Sequence, residues 1–89
     1  MNADKLLAII AKYKADIRIE PKRDRDATER LDRIAHARWM LDEMEVMVKE
    51  ETADGFEKAN RWLGFVQGVL WCTEVYEIDD MREHNRSDG

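Results

Sequence analysis

ATERLDRIAHARWMLDEMEVMVKEETADGFEKANRWLGFVQGVLWCT, residues 27–73, is the stretch whose periodicity decides the fold. At 100° per residue, Ile34, Ala37, Leu41, Met44 and Val48 line up as one stripe, widened by Met40 and Met47. Trp39 and Val46 fall on a different side, so this helix has two surfaces to cover. A helix over residues 27–51 would be about 37 Å long. Asp26 and Glu29 have the spacing of a capping box at its start. Thr52-Ala53-Asp54-Gly55 reads as a turn, and Asp54 with Glu57 repeats that spacing, so a second long helix is predicted over residues 55–73. Its apolar arc (Phe56, Ala59, Trp62, Leu63, Phe65, Val66, Val69 and Leu70) spans more than half the circumference. Two amphipathic helices joined by so short a loop make an antiparallel hairpin.

Outward from the hairpin the elements are shorter. Asn2 can cap a helix reaching about Ala15, with Asp4 at its positive end and Leu6, Leu7, Ile9, Ile10 and Tyr13 apolar. Asp16-Ile17-Arg18-Ile19-Glu20 alternates before Pro21, which disfavours helix at Glu20 and predicts an extended connector. Lys22 to Arg25 is a charged linker. After Tyr76, a last short helix is expected over residues 78–84, with Ile78 and Met81 folding back on the hairpin and residues 85–89 fraying. The fold class is all-α: one helical domain over residues 1–89, with an N-terminal helix and linker (1–25) and a hairpin plus C-terminal helix (26–85).

Composition narrows the function. The chain of 89 residues has 39% charged and 44% hydrophobic residues, enough apolar content to fold. Its single cysteine, Cys72, excludes an internal disulfide framework and suits a reducing cytoplasm, and it sits where core packing is expected. No secretory leader is expected, and no apolar run reaches the ~18–20 residues of a membrane span. The net charge of −5 divides unevenly, residues 1–38 carrying +3 and residues 39–89 carrying −8. The basic run Lys22, Arg23, Arg25, Arg30, Arg33 and Arg38 is interleaved with Asp24, Asp26, Glu29 and Asp32, which speaks against direct nucleic-acid contact.

Nothing in the sequence has the form of a catalytic apparatus. Asp32/His36 and Asp80/His84 are i,i+4 pairs that could place two ligands on one face, short of the three or four a zinc site needs. No nucleophile motif and no phosphate-cradling glycine loop occurs. No catalytic residue, metal ligand or cofactor is assigned.

Two features point to binding instead. Asn60, Gly64, Gln67, Gly68 and Trp71 share one face of the second long helix. Each interior glycine costs about 1 kcal/mol relative to alanine, so two on one face need a reason. Either they allow a close helix crossing, within the protomer or in a homodimer, or they expose backbone and an aromatic anchor to a partner. The second feature is acidic clustering at the hairpin tip, where Glu43, Glu50 and Asp54 are candidates for steering a basic partner surface. A solvated helical surface is the blander reading of those acids.

The runs His36-Ala37-Arg38-Trp39-Met40-Leu41, Glu57-Lys58-Ala59-Asn60-Arg61-Trp62-Leu63-Gly64-Phe65-Val66-Gln67-Gly68-Val69-Leu70-Trp71 and Ile78-Asp79-Asp80-Met81-Arg82-Glu83-His84-Asn85-Arg86 resemble a group of short, largely uncharacterised proteins of tailed bacteriophages and prophages. The likeness covers residues 30–86 and centres on Arg-Trp-Leu-Gly-Phe-x-Gln-Gly. It implies a phage origin and the cytoplasm of an infected bacterium, and it transfers no functional residue. By class association, small acidic phage proteins suggest stoichiometric inhibition of a host complex, as anti-CRISPR proteins do. Two alternatives stand beside it: a self-associating assembly module, and a small nucleotide-binding protein using Asn60, Gln67 and Trp71.

Overall fold

The computed structural model describes residues 2–76 and 78–86, with backbone alone for Ile78, Asp79 and Met81. Among the described residues four helices follow in order: α1 Ala3–Asp16, α2 Arg30–Lys49, α3 Ala53–Cys72 and α4 Ile78–Asn85. The chain is all-α, and α2 and α3 form the expected hairpin. The expectation for Ile78 and Met81 lies outside the described side chains.

α1 starts where the sequence places it. The Asn2 side chain accepts a hydrogen bond from the Lys5 backbone N–H at 2.8 Å, satisfying one of the donors every helix start leaves open. Leu6, Ile9, Ile10 and Tyr13 are buried against α2. α2 packs against both α1 and α3 through the predicted stripe of Ile34, Ala37, Met40, Leu41, Met44 and Val48, whereas Val46, expected on a second side to be covered, is exposed. Lys14 ties the α1–α2 seam, reaching Asp42 at 3.0 Å and Glu45 at 2.9 Å.

Both hairpin caps differ from expectation. α2 begins at Arg30, not at residue 27, and Glu29 occupies the N-cap position without a side-chain bond. The connector explains the delay. The Lys22 N–H donates to the Ala35 carbonyl at 3.1 Å, and the Asp24 N–H to His36 Nδ1 at 3.0 Å. Those bonds lay residues 22–24 along α2, so the chain has to turn back before a helix can start. The Ala27 carbonyl then accepts from Arg33 Nε at 3.2 Å instead of opening the helix, and the Asp26/Glu29 box does not form.

At the tip, α2 ends at Lys49 and Glu51 takes a left-handed φ of 57°. Thr52, not Asp54, caps α3: its Oγ1 accepts from the Gly55 N–H at 2.9 Å, placing Asp54 inside the first turn. A Cβ on Gly55 would stand 2.6 Å from the Met47 carbonyl oxygen. The small residue that permits a close helix approach is therefore Gly55.

The core joins Leu6, Ile10 and Tyr13 of α1 to Leu41 and Met44 of α2 and to Ala59, Val66 and Leu70 of α3. Arg30 Nε donates to the Thr73 carbonyl at 3.0 Å, tying the start of α2 to the end of α3. Among the described residues, every buried side-chain nitrogen and oxygen has a hydrogen-bond partner.

A candidate interaction face on the third helix

The five positions Asn60, Gly64, Gln67, Gly68 and Trp71 do not remain one surface. Gln67 turns inward and is buried. Its Nε2 donates to Tyr13 Oη at 2.9 Å and to Asn85 Oδ1 at 2.7 Å, while Asn85 Nδ2 donates back to Gln67 Oε1 at 3.2 Å. Tyr13 Oη lies 2.8 Å from His84 Nδ1, and the rings of Tyr13, Tyr76 and His84 pack with centroids 4.9–5.3 Å apart. Tyr76 Oη donates to the Asp16 carboxylate. This network fastens α4 to α1 and α3, and it holds Asn85, a residue expected to fray.

Burial sets the protonation of the network. It lowers the His84 pKa below the usual imidazole value, with Lys12 adding to the effect and Asp80 and Asp16 opposing it. Burial also raises the Tyr13 phenol above its ordinary value. With His84 neutral, Tyr13 can give its proton to Nδ1 while accepting from Gln67, so each group has one role. The amide of Asn60 is likewise used internally, donating to the Phe56 carbonyl at 3.0 Å. The Gln67 amide is thus committed to the core, while Asn60 keeps its Oδ1 free of that bond.

Gly64, Gly68 and Trp71 do face outward. Beyond their own stretch of helix, no atom of the described residues lies within 4 Å of a Cβ built on Gly64 or Gly68, so neither glycine serves a helix crossing among them. Phe65 and Trp71 are 57% and 48% exposed, large fractions for side chains of that size. Cys72, expected in the core, is exposed beside them. Phe65, Gly68, Trp71 and Cys72, without Gly64, floor a groove of about 460 Å³ whose other wall comes from the connector and α2, through Asp24, Arg25, Ala27, Arg33 and His36.

Aromatic stacking supports that wall. His36 stacks on Trp39 with centroids 5.5 Å apart, and Trp39 leans on Trp62 at 6.2 Å. Arg23 sits over Trp39 at 5.3 Å and Lys58 over Trp62 at 5.2 Å, both within cation–π range. Burial, with Arg23 and Arg25 nearby, lowers the His36 pKa against the opposing pull of Asp24. Its Nδ1 accepts from the Asp24 N–H, so a neutral ring carries its proton on Nε2.

The acidic candidates lie elsewhere. Glu50 and Asp54 are exposed and Glu43 half-buried. Among the described residues none of the three is in an ion pair, whereas Lys49 and Lys14 hold the Glu45 pKa down to about 2. Asp54 and Trp71 are seventeen residues apart on one helix, about 25 Å at 1.5 Å per residue. The tip and the aromatic face are thus separate surfaces.

Metal chemistry finds no cluster: among the described residues no group of three His, Cys, Asp or Glu could hold an ion. Asp32 pairs with Lys22 at 3.7 Å, while His36 is bonded to the Asp24 backbone. No helix among the described residues is long and apolar enough to cross a membrane.

Tyr13, His84 and Asn85 as partners of Gln67, and Arg25 as part of the groove, were not apparent from the sequence. The signal for the first was present, because Gln67 falls between Leu63 and Leu70 on the buried arc, where an amide requires partners. No family model, curated protein or solved structure matches this chain.

Proposed function

We propose that this protein is a non-enzymatic interaction module that binds a macromolecular partner through the outward face of α3. The observation that carries the reading is the pairing of Gly64 and Gly68, which have no neighbour of their own, with half-exposed Phe65 and Trp71. Large aromatic anchors beside bare backbone let a partner approach closely, and such anchors supply much of the energy of protein interfaces. The burial of the Gln67 amide among Tyr13 and Asn85 weighs against the nucleotide-binding alternative, which needs it as a recognition group. The resemblance to short phage proteins favours a host bacterial complex as the partner, inhibited by stoichiometric occupation, as part of an anti-defence function. The acidic tip at Glu43, Glu50 and Asp54 serves as a second, steering surface in that reading.

A photo-crosslinking residue placed at Phe65 in bacterial cells tests the proposal against the same residue at Val46, an exposed α2 position outside the groove. A discrete adduct from position 65 and none from 46 is the expected result. An adduct of twice the chain mass would assign the face to a second copy. Equal yields from the two positions would overturn the reading.

A further inference from the structure

The groove between the connector and α3 has a chemical asymmetry that narrows what it can hold. Its floor is apolar and its connector side is cationic. Among the described residues, Arg25 makes no hydrogen bond or ion pair, and Arg33 uses Nε on the Ala27 carbonyl while no carboxylate lies within ion-pair distance of its guanidinium. The one acid on the wall, Asp24, is already paired with Lys22 at 3.6 Å. A carboxylate meeting Arg25 or Arg33 therefore displaces no internal partner.

We infer that this groove seats a short acidic segment of a partner protein, its carboxylates on Arg25 and Arg33 and its apolar side chains on Phe65 and Trp71. The inference rests on the reading of the α3 face as an interaction surface and adds the chemistry of what binds there. Guanidinium groups suit this because their planar fork matches a carboxylate with two parallel hydrogen bonds. Gly68 lies between the anchors and lets the segment's backbone approach the helix without meeting a side chain. A single-stranded nucleic acid would also meet arginines and aromatic faces here. It fits less well, because the chain carries −5 overall and Glu50, Glu51 and Asp54 keep its far end acidic, whereas nucleic-acid affinity grows with the number of phosphates neutralised. The polarity also reverses the steering expectation: near the aromatic anchors, the attraction is for negative charge.

Selection of a random dodecapeptide display library on the immobilised full chain reads this chemistry directly. The expected pool is enriched in Asp or Glu next to Leu, Phe or Trp. Its capture falls at least tenfold on Arg25→Glu and on Trp71→Ser, both at exposed positions, with melting curves showing that each variant folds. Capture of that pool should also weaken as salt rises. A pool without acidic bias, a basic pool, or no enrichment at all on the folded chain overturns the inference. So does retention by the variants equal to the parent, or tighter binding of a single-stranded oligonucleotide that Arg25→Glu abolishes. These outcomes leave the crosslinking contrast between positions 65 and 46 standing, so failure here is distinguishable from failure of the interaction reading itself.

Discussion

Replacing Gly64 and Gly68 together by alanine should make this protein more stable. Neither glycine has a positive φ, and a Cβ on either meets nothing within 4 Å, so the native backbone accepts alanine without adjustment. What remains is helix propensity, about 0.8–1 kcal/mol per interior site. Counted as two separate propensity terms, the gains sum to roughly 1.6–2 kcal/mol. In a domain of this size, 1 kcal/mol moves Tm by about 4–8 °C, which puts the expected rise at roughly 6–16 °C. Gly55→Ala is the internal control with the opposite sign. Its Cβ would press on the Met47 carbonyl at 2.6 Å and on Thr52 Oγ1 at 2.8 Å, disturbing both the crossing and the cap. A loss of about 1–3 kcal/mol follows from such overpacking. Urea unfolding followed by far-UV circular dichroism measures all three. A fall or no change in the Gly64→Ala/Gly68→Ala midpoint would refute the argument, because it would mean that this face is already packed.

Removing the Tyr13 hydroxyl with Tyr13→Phe should cost about 1–2 kcal/mol, since it strips one partner from Gln67 and one from His84; a midpoint unchanged from the parent would dismiss the network as an anchor. Glu51→Gly should raise stability by up to about 1 kcal/mol in the same assay, because glycine adopts the φ of 57° without the steric cost a glutamate meets. Stability should also depend on pH with a definite sign. Burial lowers the folded pKa values of His36 and His84 below 6.5, so the unfolded chain binds protons first as pH falls. The urea midpoint should therefore rise with pH in the window just below 6.5, and histidine NMR titrations should give midpoints under that value. Below pH 4.5 a second loss follows, as the Glu45 carboxylate, held to about 2, is forced to take up a proton.

The hairpin was legible because its signals are local: apolar spacing in α2 and α3 and a short polar turn between them. The caps were not. Several residues near each start have cap chemistry, and tertiary bonds chose among them. Lys22 and Asp24 anchoring on Ala35 and His36 delayed α2, and the Thr52 hydroxyl took the place of Asp54. The placement of α1 was equally hidden, since it depends on Lys14 finding Asp42 and Glu45 across 28 and 31 positions of sequence. For the candidate site, helical spacing correctly brought Gly64, Gly68 and Trp71 to one face. It could not separate Gln67 from them, because the edge of a face is decided by what packs there, here Tyr13 and Asn85. Nor could spacing within one helix show that the connector brings Arg25 to the groove.

In the proposed function α3 keeps its outward face bare for a partner. Crosslink yield from position 65, measured in the Gly64→Ala/Gly68→Ala background beside the parent, tests it most directly. A lower yield is expected from the variant although it melts higher, because two methyls now stand between the partner and the helix backbone. An undiminished yield from that more stable protein would contradict the proposal.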